Sequence, residues 1–137
     1  MTSELVPPPD MDADAVAWWD ATRERRLLVQ RCGSCGDHQH YPRPFCVACG
    51  ARDLALVAAS GRGTVYSFTV VHRAPSAEFA PPYTIALVRL EEGPLMLTRI
   101  VDGPVPLECD RPVELRWQGL EDGRHLPVFA LADAGSR

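Results

Sequence analysis

Four of the five cysteines stand in one stretch: Cys32, Cys35, Cys46 and Cys49, spaced C-x2-C-x10-C-x2-C. Two residues between paired cysteines let both sulfurs face one ion from a tight turn. Two such pairs complete a tetrahedral four-thiolate shell, which suits zinc, or a single iron as in a rubredoxin. Gly36 and Gly50 each follow a pair. A glycine there can take positive φ, turn the chain back under the ion and aim backbone N–H groups at the thiolates. Four thiolates leave no open position for water, so the ion is expected to be structural, zinc ahead of iron. His38 and His40 lie inside the loop. With the shell already full, they are expected to be exposed loop histidines.

The remaining reactive side chains make no comparable set. Cys109 sits beside Asp110 in a proline-rich turn; with no partner histidine it reads as a small packed residue rather than a nucleophile. His72 follows a strand, and Asp102 or Asp110 offers an acid, but no nucleophile–base pairing is legible. Neither G-x-S-x-G nor H-E-x-x-H occurs. All 14 basic residues are arginine, which excludes Schiff-base and lysine-nucleophile chemistry.

These residues need elements to position them. The 137 residues amount to one domain, or one small domain with an appendage. A segment of ~40 residues within it needs a staple, which the cysteines supply. Residues 1–9 read as a loose leader. Asp10 or Asp12 can cap a helix that runs to about Arg25 and carries Trp18 and Trp19. Adjacent positions cannot share one narrow apolar stripe. Either one tryptophan packs at home while the other meets a partner, or loops of the same chain cover both. "LLVQR" (27–31) is a short strand entering the cysteines. Beyond Gly50 the texture is β: "LALVAAS" (54–60), "GTVYSFTVVHR" (63–73), "YTIALVRL" (83–90), "LMLTRIV" (95–101), "VELRWQ" (113–118) and "LPVFAL" (126–131). Gly61 and Gly63 suit a bulge or turn, not a phosphate loop, because no third glycine and no helix follow.

The expected fold is therefore mainly β: an N-terminal leader and helix over 1–26, a zinc ribbon over 27–53, and a five-stranded, partly open barrel of the oligonucleotide/oligosaccharide-binding (OB) type over 54–137. The net charge of −4 gives no broad field to attract a nucleic-acid backbone. No apolar run approaches the ~20 residues of a membrane span, and the first residues lack the pattern of a secretory signal. Paired Cys-x-x-Cys motifs then point to metal in a reducing cytoplasm rather than to disulfides.

The succession "LLVQRCGSCG", "YPRPFCVACG", "SGRGTVYSFTVVHR", "PPYTIALVRLEEGPLMLTRIV" and "LPVFAL" resembles the DUF35 family, over roughly residues 15–131. The resemblance implies a rubredoxin-like zinc ribbon joined to an OB-fold, with Cys32, Cys35, Cys46 and Cys49 as ligands. It also implies a non-catalytic partner of thiolase-fold acyl-CoA enzymes, among them thiolases and steroid side-chain aldolases of lipid degradation, in some cases beside a MaoC-like hydratase. Under that reading Arg43, Arg62, Arg73 and Arg99 are candidates to meet the phosphates of CoA. Trp18, Trp19, Phe79 and Tyr83 are candidates to line a partner surface or an acyl channel. The alternative is a single-stranded nucleic-acid binder, a role in which zinc ribbons and OB-folds both occur. Only three Tyr, four Phe and an acidic balance speak for it poorly.

Overall fold

The computed structural model describes residues 15–73, 83–101 and 107–132. Its first element is a short helix, α1 (Val16–Thr22), which buries Trp18, Trp19, Ala21 and Thr22. The expected cap at Asp10 or Asp12 lies outside the described residues. The helix stops three residues short of Arg25 for a local reason. Arg25 takes φ 58°, and the N–H groups of Arg25 and Arg26 bond the carbonyls of Thr22 and Ala21 at 2.9 and 3.1 Å. That is a Schellman closure with arginine where glycine is usual.

The ribbon sheet has the order β2-β1-β3, formed by β1 (Leu28–Cys32), β2 (His38–Gln39) and β3 (Leu54–Ala58). Strand β3 pairs with β1 along its whole length, from Leu28 opposite Ala58 to Cys32 opposite Leu54. The stretch after Gly50 therefore first completes the ribbon, and a boundary at residue 54 runs through its sheet. The alternation of "LALVA" identifies a strand but carries no information about which sheet it joins.

The other strands are β4 (Arg62–Val71), β5 (Tyr83–Leu90), β6 (Leu95–Val101), β7 (Pro112–Gly119) and β8 (His125–Leu131). They close a barrel in the order β4-β5-β6-β8-β7. Every pairing is antiparallel except β6 with β8, where Ile100 meets Phe129 and Val101 meets Ala130. Strand β4 bridges β5 and β7, with a register shift between Val65 and Ser67 that curves it. Of the two glycines expected at a bulge or turn, Gly61, just before β4, is a turn residue, whereas Gly63 pairs regularly with Leu90 and Val113 and the bulge falls later, between Val65 and Ser67. Gly61 takes φ 85°, and Gly63 lies so close to β5 that a Cβ there would come within 2.5 Å of the Arg89 carbonyl and 2.7 Å of Val88 Cγ1.

Inward residues of the barrel, including Val65, Val88, Leu90, Met96, Val113 and Phe129, form one buried cluster with Trp18, Trp19, Leu27, Leu28 and Val29. The two lobes thus share a core. Polar contacts reinforce the join. The Trp18 indole N–H donates to the Leu28 carbonyl at 2.7 Å, and the His125 N–H donates to Thr22 Oγ1 at 3.1 Å. Arg23 Nη1 donates to the Asp122 carbonyl at 2.7 Å. The Arg124 guanidinium lies 5.0 Å from the centre of the Trp19 ring while its Nε donates to Asp122 at 2.6 Å.

Gly63→Ala is expected to destabilise the chain by about 1–3 kcal/mol, because backbone has to move apart to admit one methyl group. A urea titration should show a lower midpoint. An unchanged midpoint would mean that β4 and β5 separate there without cost.

Candidate metal centre and apolar groove

The two cysteine turns are near-copies. In the first, the Gly36 N–H bonds the Cys32 carbonyl at 2.9 Å, and the N–H groups of Ser34 and Cys35 point at Cys32 Sγ at 3.4 and 3.5 Å. In the second, the Gly50 N–H bonds the Cys46 carbonyl at 2.8 Å, and the Ala48 N–H points at Cys46 Sγ at 3.4 Å. Gly36 and Gly50 take φ 83° and 84°, which only glycine adopts without strain.

The four sulfurs lie within 4.8 Å of one another. Cys32 Sγ is 3.7 Å from Cys49 Sγ, and Cys35 Sγ is 3.7 Å from Cys46 Sγ. A tetrahedron with metal–sulfur bonds of ~2.3 Å has edges of about 3.8 Å, so the donor set fits one four-coordinate ion. Without the ion the thiols titrate unevenly. The backbone N–H groups of Cys49 and Ala48 hold the Cys46 thiol down to about 7. Cys35 is pushed up to about 12: the Asp37 N–H favours its thiolate, but desolvation and the three neighbouring thiols outweigh it.

The loop between the turns is braced by two buried glutamines that the sequence did not single out. Gln30 donates to the Arg43 carbonyl at 2.9 Å, and its Oε1 accepts from Arg43 N–H at 2.9 Å. Gln39 donates to Gln30 Oε1 at 2.8 Å and accepts from Val47 N–H at 2.9 Å. The only sequence signal for them is the alternation of β1 and β2. It places both at paired positions, Gln30 opposite Gln39.

Above this loop, between ribbon, α1 and barrel, lies a groove of about 630 Å³. Trp18, Trp19, His40, Tyr41 and Arg43 line it from the helix and ribbon, and residues of β5, β6, β7 and β8 from the barrel. On the barrel side the register explains the lining. Ile85 opposite Arg99 and Leu87 opposite Leu97 share one face of the sheet, alternating with the buried Ala86, Val88 and Thr98. Leu97 remains 67% exposed.

The groove gathers five of the sequence-selected residues: Trp18, Trp19, Arg43, Tyr83 and Arg99. Of the two alternatives for the tryptophan pair, the structure bears out the second: both are buried within this chain. Trp18 and Trp19 pack edge to face at 4.8 Å, and the Trp19 N–H donates to Tyr41 Oη at 2.7 Å. Arg62 is committed elsewhere, in a two-pronged contact with Glu91 at 3.0 and 3.2 Å. Arg73 is exposed at the end of β4 and is not part of the groove lining. Phe79 and Asp102 lie outside the described residues. His72, Cys109 and Asp110 are not in the groove lining either.

His40 also departs from expectation. It packs against Trp18 and Tyr41, with ring centres 5.4 Å from each. Desolvation, helped by the Arg43 charge, holds its pKa down to about 4. It is a neutral imidazole in the groove wall, not an exposed loop residue and not a fifth ligand.

Two family models match the chain: the ChsH2 rubredoxin-like zinc ribbon domain over residues 19–55 and the ChsH2 C-terminal OB-fold domain over 56–118. A probable enoyl-CoA hydratase alpha subunit of Thermomonospora curvata is 40% identical over 129 residues, 93% of this chain and 40% of that protein. The chain thus spans well under half the length of that relative. The benzoylsuccinyl-CoA thiolase subunit BbsA of Geobacter metallireducens is 31% identical over 105 residues, covering 76% of this chain and 70% of the relative. A solved structure described as an Ltp2-ChsH2(DUF35) aldolase superposes with a TM-score of 0.83 at 40% identity, covering 92% of this chain and all of that one. The chain belongs to the DUF35 family, with the ChsH2 arrangement of zinc ribbon and OB-fold.

Cys46→Ser is expected to abolish stoichiometric metal binding and to unfold the ribbon, β3 included, because a lobe this small depends on its ion. Metal analysis and hydrogen exchange over residues 27–58 read both effects. In the intact chain, metal affinity should fall as pH drops from about 8 to about 6, since the ion must displace thiol protons. An affinity independent of pH in that range would mean that the thiols are already ionised in the free chain.

Proposed function

We propose that the chain is a non-catalytic accessory subunit of a thiolase-fold acyl-CoA enzyme, thiolase or aldolase, which it stabilises and for which it helps to seat the CoA thioester. The observation that carries this reading is the groove. Its lining is largely apolar and contains no nucleophile–base pair, yet it holds Arg43 and Arg99, neither of which is among the ion pairs of the described residues. An apolar trough flanked by free guanidinium groups suits a ligand with an apolar body and a phosphorylated end. The four-thiolate site has no vacancy for substrate, so the reacting cysteine and histidine come from the partner.

Zinc is the ion proposed for the four cysteines, by the ribbon's likeness to its family; a colourless protein with one zinc per chain supports it and a red iron protein overturns it. Two of the relatives, a benzoylsuccinyl-CoA thiolase subunit and a probable enoyl-CoA hydratase subunit, are named for CoA thioester chemistry, and the solved structure is named an aldolase. They support a thiolase-like partner and leave room for a hydratase beside it. Among the described residues no helix is long and apolar enough to cross a membrane. Free, clustered thiols suit the reducing cytoplasm.

Co-expression with a thiolase-fold protein encoded nearby should give one complex on size exclusion. Failure to co-elute with any such protein would overturn the reading. In the complex, Arg43→Glu or Arg99→Glu should raise KM for the acyl-CoA about ten-fold, the loss of one charge-assisted contact, while the complex stays intact. Unchanged KM in both would remove the seating role.

A further inference from the structure

The distal half of β4 is left uncovered. Residues 66–70 are exposed on both faces of the strand, with Tyr66 at 52%, Phe68 at 38% and Val70 at 42%. One edge of this half pairs with β5, from Ser67 opposite Leu87 to Val71 opposite Tyr83. The other edge of β4 pairs with β7 only at Arg62, Gly63 and Thr64. Val65 ends that seam: its N–H donates to the Arg111 carbonyl at 3.0 Å, and its carbonyl accepts from the Asp110 N–H at 2.7 Å. Beyond Val65 no backbone hydrogen bond reaches this edge among the described residues.

The sequence there does nothing to repel another strand. Residues 65–71 read "VYSFTVV", with no charge, proline or glycine. Native sheet edges are blunted by charge, by proline or by being short. The ribbon sheet follows that rule: β2 has two residues, and Arg52 and Asp53 stand directly before β3. In β4, β-branched and aromatic residues flank a free row of N–H and C=O groups, which is a template for one more strand.

The register shows what surface adjoins this edge. Ser67 stands opposite Leu87, which stands opposite Leu97; Thr69, Ile85 and Arg99 form the next such row. Cross-strand neighbours share a face, so the groove wall built by β5 and β6 continues onto β4 as far as its open edge. An edge over residues 66–71 is ~20 Å long. Alone it falls short of the ~800 Å² that each side of a stable interface buries. A partner held there therefore covers adjoining surface too, and the adjoining surface is the groove face.

We infer that an extended, uncharged segment of the thiolase-fold subunit adds to β4 as a further strand along residues 66–71, with apolar side chains against Phe68 and Val70 and small polar ones against Ser67 and Thr69. This rests on the accessory role proposed above and adds to it the edge by which the partner is held. Main-chain hydrogen bonds supply affinity, and the two unlike faces of the strand set its register.

The test uses the metal-loaded complex obtained by co-expression with the thiolase-fold protein encoded nearby. Hydrogen exchange of the amides in residues 66–71 that do not bond β5 should slow about ten-fold or more from free chain to complex, because an open edge gains hydrogen bonds. Phe68→Arg and Thr69→Arg each place a charge on one face of the strand and should raise the Kd of the complex about ten-fold or more. Circular dichroism and metal content of the free variants verify the fold. A complex in which residues 66–71 exchange as in the free chain overturns strand addition and leaves the accessory role standing. Unchanged Kd in either folded variant does the same. A free chain that elutes as a dimer with these amides protected, and as a monomer after Phe68→Arg, assigns the edge to a second copy and overturns the inference. Absence of any complex overturns the accessory role and the docking edge together.

Discussion

The loop from Gly36 to Phe45 must hold one shape, and the convergence of four sulfurs is what holds it. Ten residues with three prolines or glycines and a strand of two residues have little core of their own. Closing both ends on one ion removes most of their freedom. The loop then presents Gln39 inward, where it locks to Gln30, and presents His40, Tyr41 and Arg43 to the groove. Through Tyr41 Oη and the Trp19 indole, the metal turn is linked to α1 by one 2.7 Å hydrogen bond. The four-cysteine centre therefore sets one wall of the groove. Structural and functional roles of the metal differ here in distance, not in consequence.

Helix α1 does the complementary job from the other side. Two adjacent tryptophans on a seven-residue helix cannot lie in one stripe, so the helix is covered on two faces. Ribbon and barrel supply those faces, and the two indole N–H groups end on Leu28 and Tyr41. Because the helix wedges between the lobes, they do not close flush. The outward face of β5 and β6 leaves Ile85 and Leu87 half-buried and Leu97 exposed. The groove is what remains when a helix too bulky to lie flat holds two sheets apart.

The sequence made the metal centre legible because thiolate coordination is set by local spacing: the positive φ of Gly36 and Gly50 follows from two cysteines needing to reach one ion. The barrel strands were legible from alternation, and β5 and β6 fall at the expected bounds. What stayed hidden depends on pairing between distant segments. Strand β3 joins the ribbon because β1 has a free edge, which its own residues do not reveal. The arginines looked alike in sequence, yet Arg62 is bound to Glu91 and Arg124 is folded onto Trp19. His40 looked exposed because a loop position says nothing about the tryptophan that packs on it from α1.

That sorting of arginines bears on the accessory role proposed for the chain. A guanidinium already held by a carboxylate has little to offer a phosphate, because the contact must be broken to make the new one. Those left outside the ion pairs at the groove, Arg43 and Arg99, have no such contact to break before meeting an incoming anion. In the proposed role, such a surface orients a ligand and transfers nothing to it. Its contribution to a partner's rate is positional, through the entropy that a pre-ordered groove removes before the chemical step begins.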